Sequence, residues 1–163
     1  MEQLKKLWNE FDLQDRMLAV GGAVMAVFAF FPWFTARINT AAMPGMANNV
    51  IDFGAQTHST SGVGCWHGWM AVIFGTAAVL TLLAPQLFAN VKQPLRGFLP
   101  LISSALGFIL GPLAFFSRTE SSSGMVEAGT TFWFWIAFLG GLAAVGGVVW
   151  KKFGAPAAAG GTD

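Results

Sequence analysis

The segment Trp66-His67-Gly68-Trp69 is the most chemical-looking stretch of this chain. A histidine framed by tryptophans and a glycine can offer a ring nitrogen to the metal of a haem or a chlorophyll-type pigment. Bis-histidine haem needs a second ligand, and the other histidine is His58, in a polar stretch. Chlorophyll needs one axial ligand, so His67, flanked by Trp66 and Trp69, is the candidate cofactor-binding residue. The plainer alternative is a histidine at a membrane edge bonded to loop backbone, with no cofactor at all. No catalytic residues and no metal site are expected. Phosphate-cradling glycine loops and zinc-ligand spacings do not occur, and Ser103-Ser104 has no base near it in sequence.

Four long apolar runs must position these residues. Residues 17–36, 64–84, 98–116 and 132–150 contain no Asp, Glu, Lys or Arg. At about 1.5 Å per helical residue each reaches about 30 Å, the thickness of a hydrocarbon core. In lipid every backbone polar group needs an internal partner, and uninterrupted runs of this length satisfy that as helices. The expected fold is therefore an all-α membrane protein, a four-transmembrane-helix bundle forming one domain over residues 1–163. The first run is too long for a signal-peptide core and has no convincing small-residue cleavage site, so it is expected to stay in place.

Charge orients the bundle. Lys5, Lys6, Arg16, Lys92, Arg96, Lys151 and Lys152 fall in the two tails and the middle loop, against Arg37 and Arg118 in the other two loops. The positive-inside bias then sets both termini in the cytoplasm and loops 37–63 and 117–131 outside a cell (inner) membrane. The basic residues are too few and scattered for nucleic acid. Charge-free spans also argue against ion or proton conduction, which needs ionisable groups inside the membrane.

Smaller features fill in the outline. Leu4, Leu7, Trp8 and Phe11 make one helical face, so residues 1–12 read as an interfacial amphipathic helix. Trp8, Trp33, Trp133, Trp135 and Trp150 fall at span ends, where an apolar ring with a polar N–H acts as an interfacial anchor. Residues 35–39 and 49–53 have mild strand character around Pro44-Gly45, suggesting a small β-hairpin in the first outer loop. The tail from 154 to 163 is alanine- and glycine-rich and expected to be disordered. Gly107-x-x-x-Gly111, with Gly75 and Gly141, supplies small-residue faces for close helix approach. Packing within one bundle is the first use expected of them, and a partner face the second.

An internal repeat is visible. Trp69–Val79 and Trp135–Val145 share six identities in eleven positions, namely Trp, Ala, Gly, Ala, Ala and Val. The matched runs point the same way, unlike the inverted repeats with broken helices found in many transporters.

Phe31-Pro32-Trp33-Phe34, Ser61-Gly62-Val63-Gly64 and Trp135-Ile136-Ala137-Phe138-Leu139-Gly140-Gly141 resemble phrases found in small bacterial four-span membrane proteins of unknown function. The resemblance runs over most of the chain through short apolar motifs and implies a multi-pass membrane protein without an assigned activity. A weaker likeness is to claudin-type four-helix proteins with a strand-bearing first outer loop, whose cysteine pair and Gly-Leu-Trp signature are missing here. The expected function is a non-enzymatic integral membrane subunit or scaffold, in contact with the lipid bilayer and with other integral membrane proteins or copies of itself. Alternatives are a pigment- or haem-bearing antenna or electron-transfer subunit, and a lipid or small-hydrophobe binder at the outer tryptophans.

Overall fold

A computed structural model of the protein describes residues 8–38, 58–119 and 126–154. Helix α1 (Leu13–Phe28) leads into strand β1 (Pro32–Ile38); strand β2 (His58–Ser61) leads into α2 (Trp66–Leu83). Helix α3 (Leu95–Phe108) continues through a π turn (Ile109–Leu113) into α4 (Ala114–Thr119), and strand β3 (Val126–Thr130) leads into α5 (Phe132–Val149). Three of these helical stretches, Trp66–Leu83, Leu95–Phe116 and Phe132–Gly154, are long and apolar enough to cross a membrane. Residues 8–10 are helical and residues 11–12 are not, while residues 1–7 of the expected interfacial helix and the carboxyl tail beyond 154 lie outside the described residues.

The first apolar run does not stay helical to residue 36. Helix α1 stops at Phe28, and Pro32 opens β1. Proline cannot donate to a helical ladder and disfavours helical backbone at the residue before it, while Trp33, Phe34 and Thr35 are strand formers. The hydrophobicity is real, but its last quarter belongs to a sheet.

That sheet is the main departure from the all-α expectation. Its order is β2-β1-β3, antiparallel throughout. The register pairs Thr35 with Ser59 on one side and with Gly129 on the other. The first expected strand overlaps β1; the second, at 49–53, lies outside the described residues. The observed partners instead come from the residues just before α2 and just before α5.

The helices pack as a ring: α1 on α2 and α5, α2 on α3, and α3 on α5. Backbone proximity makes this possible. A Cβ added to Gly21 would lie 2.5 Å from Gly140 O, and one on Gly75 would lie 2.8 Å from Gly22 O. Where lipid gives no hydrophobic drive between spans, such close approach supplies the van der Waals contact that holds them. Met25 occupies the centre, fully buried. A Cβ on Gly75, Gly107 or Gly141 would meet its thioether end at 3.2, 2.7 and 3.0 Å, and one on Gly111 would meet Ala71 at 3.0 Å. All four glycines of the expected faces therefore pack inside the bundle.

The repeat acquires a structural meaning. Its six identities fall at positions of matching exposure in α2 and α5: Ala71 and Ala137, Gly75 and Gly141, and Ala78 and Ala144 are buried, while Trp69 and Trp135 face out. Both helices present the same small-residue face to opposite sides of α1.

The end away from the sheet is tied by charge. Lys151, after α5, lies 2.5 Å from Asp15 and 3.8 Å from Asp12 at the start of α1. Pro112, inside the π turn, has no N–H for the ladder, and the wider turn absorbs that loss. Pro100 also lies within α3, which begins three residues before the apolar run at 98.

Candidate functional site

The residues singled out in the sequence converge on the sheet end of the bundle. Trp33 follows α1 on β1 and is fully buried, so it is not an interfacial anchor. Its indole N–H is satisfied internally, donating to Phe28 O at 2.8 Å. That bond removes the need for a polar headgroup, and the ring packs edge-on to Phe115 and Phe134, with centroids 5.4 and 5.7 Å away. Trp8, Trp133, Trp135 and Trp150 are exposed, as anchors would be. Trp133 also stacks on Phe28, with ring centroids 5.7 Å apart.

Two glycines let the connection before α2 close over this cluster. A Cβ on Gly62 would lie 2.6 Å from the Trp33 ring, and one on Gly68 would lie 2.1 Å from Gly62 backbone. Val63 N–H donates to Ala29 O and Gly62 N–H to Phe31 O, which pins this turn to the end of α1. On the other side Thr131 caps α5: its hydroxyl oxygen accepts from Phe134 N–H at 3.4 Å, and its O–H donates to Pro32 O. One side chain thus couples the start of α5 to the start of β1.

His67 lies within this shell. The helix turns it inward, 4 % exposed, while Trp66 and Trp69 are about half exposed on the outside. Its ring centroid is 4.0 Å from that of Trp66 and 5.9 Å from that of Phe115, the latter edge-on. A porphyrin-sized ring ligated at His67 would have to displace these neighbours. His58 is exposed on β2. Cys65 is a free thiol donating to Gly62 O at 2.9 Å.

The buried serines are spent on backbone. Ser103 Oγ–H donates to Leu99 O at 2.7 Å and Ser104 Oγ–H to Leu101 O at 3.2 Å. Bonds to the preceding turn are the usual resting place of a helical serine in an apolar setting. No cluster of three or more His, Cys, Asp or Glu suited to a metal occurs among the described residues.

Sequence reasoning missed three participants. Met25 as the central plug had no distinguishing signal among seven methionines. The cap at Thr131 was readable, since threonine directly precedes an apolar helix. Strand β3 was signalled weakly by Val126 and Thr130, between a serine-rich stretch and the fourth apolar run.

Fold and site together define a helical-bundle protein with three helices able to cross a membrane and a small antiparallel sheet over one end. Compared with known proteins, the chain matches no family model, no curated protein and no solved structure.

Proposed function

We propose that this protein is a non-enzymatic, four-span membrane subunit that binds partner membrane proteins through its sheet end. Helix α1 is the fourth crossing. Its 16 residues give about 24 Å, short of about 30 Å. It nevertheless packs between α2 and α5 from Gln14, which a Cβ on Gly147 would meet at 2.8 Å, up to Ala29. A helix gripped on both sides by two membrane-length helices shares their medium. Large apolar side chains such as Val27, Ile73, Ile102, Leu139 and Leu142 stand exposed around the bundle, as lipid contact requires.

One observation carries the functional reading: the bundle centre is filled by Met25 against glycine backbone from three helices. The small-residue faces are consumed internally, and the buried serine hydroxyls are bonded to backbone. What the protein offers to others is its sheet end, where β2 and β3 are the outer strands among the described residues. Outer strands carry backbone groups that can pair with an added strand. By the charge distribution this end faces away from the cytoplasm.

Two measurements test the reading together. Single cysteines at residue 58 and residue 90, in a Cys65→Ser background, should label from opposite sides of intact cells, with residue 58 outside. Cross-linking in the membrane followed by mass spectrometry should recover a partner membrane protein through residues of the sheet end. Labelling of both sites from one side would overturn the topology. A monomer without cross-linked protein would overturn the partner reading.

A further inference from the structure

Between α1 and α5 runs an open trough of about 470 Å³. It exists because the two helices touch backbone to backbone at Gly21 and Gly140, leaving a low floor flanked by Val20, Val24 and Leu139. On α1 its lining extends from Arg16 to Val24. Those eight residue steps span about 12 Å, most of the about 15 Å depth of one leaflet's hydrocarbon. The volume falls in the small-molecule range of about 300–1,000 Å³; a helix, about 10 Å across with its side chains, would need a wider bed.

Arg16 is the charged residue of this lining. Its Nε is fully buried and has no hydrogen-bond partner among the described residues. The guanidinium lies 5.6 Å from the centre of the Trp8 ring. The carboxylates of Asp12, the residue before α1, and Asp15, in its first turn, are both paired with Lys151. Among the described residues no carboxylate forms an ion pair with this cation, which stands at the mouth of an apolar trough, in the first turn of a helix whose free N–H groups also favour negative charge. We propose that this trough binds one anionic glycerophospholipid of the leaflet at the Arg16 end, with an acyl chain lying over Gly21 and Gly140 and the phosphate on Arg16. The proposal rests on the membrane reading and is independent of the partner reading. Arginine suits the task because its planar fork bonds phosphate in pairs.

The test is native mass spectrometry of the full chain in mild detergent with added dioleoyl-phosphatidylglycerol, dioleoyl-phosphatidylcholine or glycerol 3-phosphate. One phosphatidylglycerol should be retained, about tenfold better than phosphatidylcholine, the scale of one charge-assisted bond, while glycerol 3-phosphate is not held. Arg16→Gln should bring phosphatidylglycerol down to the phosphatidylcholine level. Ala143→Phe, which fills the trough, should abolish retention of both, and Leu142→Phe on the outward face should change neither. Should Ala143→Phe fail to fold, as judged by circular dichroism, Val20→Trp takes its place. Unchanged retention in Arg16→Gln, binding of glycerol 3-phosphate as tight as that of the lipid, or a dimer that Ala143→Phe abolishes would each overturn the proposal. Loss of lipid from a chain that still labels from both sides of the membrane would leave the four-span reading standing.

Discussion

Met25 on α1 and Gly107 on α3 meet at the bundle centre, where a Cβ added to the glycine would lie 2.7 Å from the methionine methyl. The fit is a plug in a socket rather than a general small-residue contact. Methionine suits the position because its unbranched chain fills an irregular gap between backbones.

That fit predicts coupled mutations. Gly107→Ala should destabilise the bundle by about 1–3 kcal/mol, the range for overpacking. Met25→Ala should also destabilise, by opening a cavity. Combined, the two should cost clearly less than their sum, because the added methyl occupies space the methionine vacated. Unfolding in mixed detergent micelles measures all three; strict additivity would show that the contact does not bear on stability.

A sharper contrast is expected along α1. A Cβ on Gly21 would meet Gly140 O at 2.5 Å and Ala144 N at 2.6 Å, both backbone atoms that move only if α1 and α5 separate. At Gly146, on α5, nothing lies within 4 Å. Gly21→Ala should therefore lower stability by more than Gly107→Ala does, whose nearest neighbour is a flexible chain end. Gly146→Ala should be neutral or gain up to about 1 kcal/mol from helix propensity. Equal effects at 21 and 146 would contradict the packing described here.

These contrasts bear on what the sequence could reveal. Apolar run length located the three helices that are long and apolar enough to cross a membrane, because a bilayer's thickness sets the length to look for. It failed at residues 32–36, where hydrophobicity persists but Pro32 ends the helix and β-formers follow. Long-range strand pairing was the least legible: β1 finds β3 almost a hundred residues later, through backbone bonds that leave no local pattern. The repeat was legible because α2 and α5 meet the same neighbour, α1, and must therefore offer it the same alanines and glycine. Trp33 misled because span-end tryptophans usually serve headgroups, whereas here Phe28 O satisfies the ring.

Trp33 should accordingly behave as a core residue. Trp33→Phe loses the bond to Phe28 O and should cost about 0.5–1.5 kcal/mol, whereas Trp33→Ala should cost about 3–5 kcal/mol. Difference fluorescence between wild type and Trp33→Phe should give a blue-shifted emission that aqueous quenchers do not reach. A quenchable component would move the ring back to the interface.

The Lys151–Asp15 contact is expected to matter less than its distance suggests. The lysine is half exposed, and ion pairs in that setting contribute about 0–1 kcal/mol and weaken with salt. Lys151→Met should therefore shift stability by less than about 1 kcal/mol, and the difference should shrink in high salt. A loss of several kcal/mol would mean that this contact anchors α5 to α1 more firmly than charge alone allows.

His67 offers the last test, bearing on the cofactor alternative. Its ring is 4 % exposed and hemmed by Trp66 and Phe115. Axial ligation needs an open approach to a ring nitrogen and a flat space beside it for the macrocycle. With the ring buried and the centroids of Trp66 and Phe115 at 4.0 and 5.9 Å from it, a macrocycle would enter only by moving this shell apart. Protein extracted in mild detergent should therefore show no visible absorption band, and added haemin should give the same spectrum with wild type as with His67→Phe. The replacement keeps an aromatic ring in the cluster, so its cost should be confined to stability. A Soret or red pigment band present in wild type and lost in His67→Phe would establish ligation, and with it a shell that opens around the histidine.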